Sequence, residues 1–334
     1  MKPLVVYHRG CMDGAAAALA AWLRFGDEAE YRPANYGDPA PTDDEVRGRD
    51  VYVLDFSYPR AELVRMNAAQ MSIDKLIIVD HHKTAQADLA GLDTGQAGLR
   101  CTFDISKSGA VLAWEHFHNP VSIGHEFDVP ELFAYVQDRD LWRWELPHSK
   151  AVSAALGASG ALTDFRALIP IYNDCRFSPI SESLMQDGAA ILRAERLMVE
   201  RMVATAEEVT LEYEYRAKDH NGKNALIQGE VFALAACSSV LQSEVGEALA
   251  LESARRGRDA VGVVYYKDGP SVKWRLSLRS ADINAPPFDV DDECLDPSHK
   301  ITAPDVSAIA KAFGGGGHHR AAGCEVERLP WERK

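Results

Sequence analysis

Three short apolar runs near the start of the chain are each followed at once by polar, reactive side chains. The runs occupy residues 4–7, 51–54 and 76–79, and helical patterns follow the first two at 15–24 and 61–69. Continuous Val, Ile and Leu runs that alternate with helices are typical of buried strands in a parallel sheet. Because ligands bind beyond the carboxyl ends of such strands, the sequence predicts a functional site there.

The polar residues after these runs, together with one later aspartate in a predicted loop or strand end, form a candidate set of metal ligands. Two divalent ions need about five ligands of this kind, and five are available: His8, Asp13, Asp55, His81 and Asp140. A single His or Asp after a strand is more often a surface or helix-capping residue than a metal ligand. The run Asp80-His81-His82-Lys83 is more specific, since buried imidazole and carboxylate groups cost free energy unless they are paired or metal-bound. Mixed ligands of this type favour Mn²⁺, with Co²⁺ or Mg²⁺ as alternatives.

The second half of the chain has a different pattern. Leu184, Ile191 and Met198 recur every seven residues and predict a connecting helix over 181–208. Strands are expected at 209–216, 225–228, 260–266 and 272–278, with turns at 220–223 and 267–270 and a solvated loop over 282–297. The predicted fold class is α/β, with an N-terminal parallel-sheet domain over 1–180 and a smaller C-terminal α+β domain over 209–334.

Charge and apolar content exclude several classes of function. The chain has 36 Lys plus Arg against 50 Asp plus Glu, a formal net charge of -14, which argues against binding to long duplex DNA. Its first apolar run is too short for a signal-peptide core, and no later segment is long enough for a membrane span. The six cysteines show no C-x-x-C pair. We therefore expect a cytoplasmic protein with reduced thiols and no membrane partner.

Two further motifs identify a resemblance to a known family. The run at 79–83, VDHHK, and the run at 313–323, FGGGGHHRAAG, lie well over two hundred residues apart. In this order they resemble the DHH superfamily of phosphoesterases in its two-domain form. The superfamily includes RecJ-like exonucleases, nanoRNases and cyclic dinucleotide phosphodiesterases. The runs YHRGCMDG at 7–14 and DRDLWRW at 138–144 look most like the NrnB-type branch.

The resemblance implies roles for individual residues. His8, Asp13 and His81 would be metal ligands, and Asp55 would bridge the two ions and act in catalysis. The fourth motif offers Asp138 or Asp140, of which we favour Asp140. His82 would face the substrate phosphate, and Asp80 would orient the histidine pair. Arg139 and Lys83 are further candidates for the site.

One position departs from the family pattern. Many members carry Asp-x-Asp-Gly in the first motif, whereas this chain has Cys11-Met12-Asp13-Gly14. Cys11 could bind a metal as thiolate, leave a coordination position to water, or merely fill space, and the last two alternatives together are favoured.

Substrate binding is expected from the C-terminal domain. A glycine run also fits a linker, but a linker is not followed at once by His318-His319-Arg320. By resemblance, the substrate phosphate would be held by Arg279, Gly315, Gly316, Gly317 and His318. Trp142 and Trp144, next to Arg139 and Arg143, either stack bases beside the metals or form the inward face of a strand.

The resemblance implies an enzyme that hydrolyses short oligonucleotides, nanoRNA or dinucleotides, to 5'-mononucleotides in a cleft between two domains, using two divalent ions. Cyclic dinucleotides or pAp are alternative substrates. A hypothesis from a different functional class is a nucleotide-binding protein with little catalytic activity, which would fit the missing aspartate of the first motif. A homodimer is the default expectation for the assembly.

Overall fold

The computed structural model describes residues 1–70, 75–92, 98–118, 129–218, 224–267, 272–281 and 303–332. Two compact units make up the chain, Met1–Arg193 and Ala194–Lys334, and the division falls within one long helix. The predicted turn at 220–223, the predicted loop at 282–297 and all but the first residue of the predicted turn at 267–270 lie outside the described residues.

The first unit is built on a parallel sheet of five strands in the order β2-β1-β3-β4-β5. The strands are β1 (Leu4–His8), β2 (Glu30–Ala34), β3 (Val51–Leu54), β4 (Leu76–Asp80) and β5 (Leu99–Phe103). The helices are α1 (Met12–Phe25), α2 (Asp43–Val46), α3 (Arg60–Ala69), α4 (Lys83–Asp88), α5 (Gly109–His118), α6 (Glu131–Asp140), α7 (Ser149–Ala158) and α8 (Leu168–Cys175). The predicted parallel-sheet fold is confirmed.

Helices cover both faces of this sheet, which explains why its central strands are apolar up to their carboxyl ends. Alternate residues of a strand point to opposite faces. In β1, Val5 belongs to the apolar cluster that includes α1, α5 and α6, whereas Val6 belongs to the cluster that includes α3. The Ala-rich sequence of α1 is buried from residue 13 to residue 21, so this helix packs directly on the sheet.

The second unit carries a mixed sheet of six strands. It follows α9 (Glu182–Ala204) and has the order β10-β11-β9-β8-β7-β6, in which only the β7–β8 pair is parallel. The strands are β6 (Glu207–Lys218), β7 (Asn224–Cys237), β8 (Val261–Tyr266), β9 (Trp274–Ser280), β10 (Gly316–Gly317) and β11 (Ala321–Val326), and the helices are α10 (Gln242–Arg255) and α11 (Val306–Ala312).

Several predicted boundaries differ from the structure. The expected strand 225–228 is only the start of the 14-residue strand β7, and the expected connecting helix over 181–208 ends earlier, at Ala204. Strands β2 and β5 escaped prediction because both lie at sheet edges. Edge strands keep polar residues and even proline, as at Pro33. None of the helices in the described ranges combines the length and apolar content needed to cross a membrane.

Candidate metal centre

The carboxyl ends of three neighbouring strands bring the predicted ligands to one edge of the first sheet. Strand β1 pairs with β3, and β3 pairs with β4, all in parallel. His8 is the last residue of β1, Asp55 directly follows β3, and Asp80 ends β4 immediately before the two histidines. Parallel pairing places these strand ends side by side, so residues far apart in sequence become neighbours.

His81 lies at the middle of the cluster. Its Nε2 atom is 3.3 Å from Oδ1 of Asp55, 3.5 Å from Oδ2 of Asp140 and 3.7 Å from Oδ2 of Asp13. Nδ1 of His8 lies 3.3 Å from Oδ2 of Asp55. The structure thus brings together all five residues predicted as ligands. Asp140, however, is the last residue of helix α6, so its predicted position in a loop or at a strand end is wrong.

Two glycines allow this close approach. A Cβ on Gly14 would lie 2.2 Å from the carbonyl oxygen of His8, so only glycine lets α1 turn back this tightly over the end of β1. A Cβ on Gly109 would lie 2.6 Å from both Cβ and Oδ1 of Asp55. Glycine at this position therefore lets the N-terminus of α5 reach the cluster.

The start of α5 also holds Asp13, a contact that the sequence analysis missed. The backbone N–H groups of Gly109 and Ala110 donate to the Asp13 carboxylate over 2.6 and 2.9 Å. A helix N-terminus carries partial positive charge and stabilises such an anion. The available signal was the pair Ser108-Gly109 just before an apolar helical run.

Asp55 is held in an unusual conformation. Its φ of 62° lies in the left-handed region, which costs a non-glycine residue free energy and is common at functional sites. Its N–H donates to the Val79 carbonyl over 2.9 Å. The side chain is only 1% exposed. Among the described residues its Oδ1 accepts no hydrogen bond of good geometry, and its near neighbour is Nε2 of His81 at 3.3 Å. A buried carboxylate oxygen without a donor fits a cation as its missing partner.

The pKa shifts of the clustered carboxyl groups also fit a bound cation. Burial raises the pKa of the Asp13 carboxyl, and the neighbouring Asp55 and Asp140 raise it further. Burial likewise raises the pKa of Asp140 to about 6, opposed by His81. Burial alone would raise the pKa of Asp55, but the contacts with His8 and His81 lower it overall. Three carboxylates crowded around one imidazole repel one another, and a divalent cation would relieve that repulsion.

Asp80 fixes the histidine pair. It is fully buried, and its Oδ1 accepts the backbone N–H groups of His81 and His82 over 2.7 and 3.1 Å. The same oxygen lies 2.7 Å from Nδ1 of His82. Burial lowers the pKa of the His82 imidazole, but this bond to Asp80 outweighs it and raises the pKa overall. Asp80 therefore orients the ring of His82.

Cys11 and Tyr36 also lie at the cluster. The Cys11 sulfur is within 4.8 Å of ligand atoms of His8 and Asp55, while burial and nearby carboxylates raise the pKa of the thiol. The ring of Tyr36 meets those of His8 and His82 edge-on, with centroids 5.6 and 5.9 Å apart. The sequence analysis missed Tyr36, because an aromatic residue in a polar loop gives no specific signal.

The other candidates in the fourth motif have different surroundings. The Asp138 carboxylate accepts the backbone N–H groups of Glu145 and Leu146 over 2.9 and 3.4 Å, so it holds a loop. Trp142 and Trp144 lie in that loop with positive φ values of 55° and 57°, so the alternative that placed them on a strand is wrong. The guanidinium of Arg139 covers the Trp142 ring, and Lys83 is an exposed residue at the start of α4.

The residues predicted for substrate binding lie in the second unit. Arg279 on β9 donates through Nη2 to the Ser243 hydroxyl over 2.9 Å and through Nη1 to the Ser277 hydroxyl over 3.0 Å. It pairs across the sheet with Ala321, and the N–H of His318 donates to the Ala321 carbonyl over 2.7 Å. The tight turn at 318–321 therefore lies next to the Arg279 backbone.

The glycine run mainly makes room for strand β11. A Cβ on Gly315 would lie 2.0 Å from the Gly323 carbonyl oxygen, and one on Gly317 would lie 2.5 Å from that of Ala321. Only Gly316 of the three predicted substrate-binding glycines has open space around its Cβ position. Close packing against β11 thus accounts for two of these glycines.

Comparison with known proteins adds relatives of low similarity. No protein-family model matches the sequence. An uncharacterized protein, R106, of Acanthamoeba polyphaga mimivirus is 23% identical over 348 residues, covering 99% of this chain and 70% of that protein.

Solved structures with partly similar folds include three with named functions. The pGpG-specific phosphodiesterase PggH of Vibrio cholerae is 11% identical, with 98% of this chain and 93% of that chain covered and a TM-score of 0.46. RecJ of Thermus thermophilus in complex with Mn²⁺ is 13% identical, with 97% and 49% covered and a TM-score of 0.37. An exopolyphosphatase-related protein of Bacteroides fragilis is 13% identical, with 98% and 88% covered and a TM-score of 0.37.

Proposed function

We propose that this chain is a metal-dependent phosphoesterase of the DHH superfamily that hydrolyses short oligonucleotides to 5'-mononucleotides. The observation that carries the proposal is the convergence of three buried or half-buried carboxylates on Nε2 of His81 over 3.3–3.7 Å. Such a mixed carboxylate and imidazole set favours Mn²⁺ or a similar divalent first-row ion. Two ions would be held by His8, Asp13, Asp55, His81 and Asp140.

Bound divalent ions would supply Lewis-acid activation of water and neutralise charge on a phosphoryl group. The protein itself supplies His82. Because Nδ1 of this ring is committed to Asp80 at 2.7 Å, contact with a phosphate oxygen falls to Nε2. A pKa raised by Asp80 favours the protonated ring, which donates a charge-assisted hydrogen bond to a non-bridging oxygen. Losing one such donor typically lowers kcat by about 10²–10³-fold.

Arg279 is the proposed phosphate ligand of the second unit. Its guanidinium is oriented by the hydroxyls of Ser243 and Ser277, and a guanidinium matches the geometry of phosphate oxygens. Gly316 and His318 belong to the same proposed binding surface. Gly316 pairs with Gly323 of β11, His318 donates to the Ala321 carbonyl, and β11 pairs with β9. An acidic net charge of -14 favours short substrates over long strands.

The test is hydrolysis by the purified chain. The panel contains pGpG, pAp, cyclic dinucleotides and five-residue RNA and DNA, each tested with Mn²⁺. We expect 5'-mononucleotides from pGpG and from the five-residue substrates. Asp55→Asn should abolish this release. Asp187→Ala, which changes an exposed aspartate on α9, should not affect it.

The outcomes separate the alternatives. Preferred cleavage of cyclic dinucleotides or pAp would change the substrate within the same class. Tight binding of linear dinucleotides without product release would instead identify a nucleotide-binding protein. Release that persists in Asp55→Asn would show that the cluster around His81 is not the active centre.

A further inference from the structure

The candidate ligands of the metal centre separate into two sets of different chemistry. The Asp55 carboxylate lies between the sets, since its Oδ2 is 3.3 Å from Nδ1 of His8 and its Oδ1 is 3.3 Å from Nε2 of His81. With Asp13 and Asp140, His81 forms a group whose ligand atoms all lie within 4.8 Å of one another. We call this group the carboxylate site. Asp55 can therefore face two ions, one through each of its oxygens.

The group on the His8 side contains a sulfur atom. His8, Cys11 and Asp55 bring an imidazole nitrogen, Sγ and a carboxylate oxygen within 4.8 Å of one another. Asp55 is buried, and the other two residues are half-buried. Because zinc lies about 2.0–2.3 Å from such ligands, side-chain movements of about 1 Å or less bring all three atoms onto one ion. We call this group the thiol site.

The position of Cys11 at the start of a helix favours an anionic sulfur. Cys11 is the N-cap of the 14-residue helix α1, where the partial positive charge of a helix N-terminus stabilises a thiolate. Oxygen side chains are the usual caps, so capping alone does not explain a cysteine here. Burial and three nearby carboxylates raise the pKa of the thiol. A divalent cation inverts such local effects, and a coordinating thiol releases its proton to solvent.

We propose that Cys11 binds a divalent ion through Sγ, so that the thiol site prefers Zn²⁺ or Co²⁺ to Mn²⁺ more strongly than the carboxylate site does. The inference rests on the proposed function and deepens it, because it gives the two positions of one centre different metal preferences. Thiolate is a soft ligand that suits Zn²⁺, whereas carboxylate oxygens suit Mn²⁺. Many members of the family that this chain resembles carry aspartate at this position, so the exchange of oxygen for sulfur is a property of this chain.

Absorbance during a Co²⁺ titration tests for the metal–sulfur bond directly. The purified chain is dialysed against EDTA, its thiols are kept reduced, and Co²⁺ is added. A thiolate bound to Co²⁺ gives a charge-transfer band in the near ultraviolet that carboxylate and imidazole ligands do not give. We expect the band in the wild type and not in Cys11→Ser or Cys11→Asp. Zn²⁺ should abolish the wild-type band at lower concentration than Mn²⁺ does.

Calorimetry measures what the sulfur contributes to metal affinity. Loss of a residue that only supports a metal ligand weakens binding by about 10–100-fold, so Cys11→Ser should weaken Zn²⁺ binding at the thiol site by at least about tenfold. Cys11→Asp restores the carboxylate of the family motif. It should reduce the preference for Zn²⁺ over Mn²⁺ by a similar factor while the protein still binds Mn²⁺.

Cys237→Ser is the matched control, because Cys237 is an exposed thiol on β7 of the second unit. This variant should keep both the band and the Zn²⁺ affinity. A wild type without the band, a band that persists in both Cys11 variants, or an unchanged metal preference in Cys11→Asp would overturn the inference. Dinucleotide hydrolysis without the band would overturn the inference and leave the proposed function standing. A Cys11-dependent band in a protein that hydrolyses none of the substrates would support the inference and refute the proposed function.

Discussion

The substitution Gly109→Ala tests how the metal centre is assembled. Gly109 begins α5, and the added methyl group would lie 2.6 Å from Cβ and Oδ1 of Asp55 and 2.9 Å from its Cγ. Ordinary van der Waals contact begins at 3.4 Å. Asp55 is buried and its backbone is bonded to Val79, so it has little room to yield, and the start of α5 must move away.

This displacement has two measurable consequences. Overpacking of a buried site costs about 1–3 kcal/mol of unfolding free energy, and about 2–4 °C in Tm for each kcal/mol in a domain of this size. The N–H groups of Gly109 and Ala110 also move away from Asp13, whose carboxylate they hold. Loss of such support for a ligand weakens metal binding by about 10–100-fold. Chemical denaturation and Mn²⁺ titration by calorimetry measure the two effects.

Gly157→Ala is the control for the same chemical change. Gly157 lies in helix α7, and nothing is found within 4 Å of its Cβ position. Alanine is the better helix former, so this variant should gain about 0.5–1 kcal/mol and bind Mn²⁺ normally. If Gly109→Ala matched the wild type in both stability and Mn²⁺ affinity, the close packing of α5 against Asp55 could not be what shapes the centre.

Three further predictions concern the same unit. In differential scanning fluorimetry, Mn²⁺ should raise the Tm of the wild type but not that of Asp55→Asn, because an ion that binds only the folded protein stabilises it. An equal rise in both proteins would contradict the assignment of Asp55 as a metal ligand. The ring of Tyr36 lies against those of His8 and His82, and we expect its hydroxyl to contact the substrate. Tyr36→Phe should therefore raise KM for a dinucleotide and leave the Tm unchanged. An unchanged KM would argue against that contact. Arg32 and Thr42 lower the pKa of Glu45 to about 2. The ionised carboxylate therefore stabilises the fold above the usual pKa of glutamate, and this stabilisation is lost as the pH falls from there toward 2. In Glu45→Gln, the denaturation midpoint should vary less with pH across that window.

Much of the metal centre could be predicted from local sequence. His8, Asp55 and the residues 80–82 each stand at the end of an apolar run, and parallel strands place their ends at one edge. Asp140 was among the candidate ligands, but its position on a helix was not foreseen, although Leu132, Phe133 and Val136 of the ten-residue helix α6 are buried at helical spacing. Nothing local distinguishes Asp140, whose carboxylate lies 3.5 Å from Nε2 of His81, from Asp138, which accepts backbone N–H groups instead.

The sequence by itself determined which chemical groups the protein has, and it showed that buried parallel strands bring them to one edge of the sheet. Both follow from local properties, namely the continuous apolar runs and the residues that end them. Only the tertiary structure decided which groups meet. The support of Asp13 by the start of α5, the missing Cβ of Gly109 beside Asp55 and the packing of Arg139 on two indoles all depend on distances between segments distant in sequence or on backbone angles. Such distances follow from packing of the whole unit, and no residue pattern of a single segment contains them.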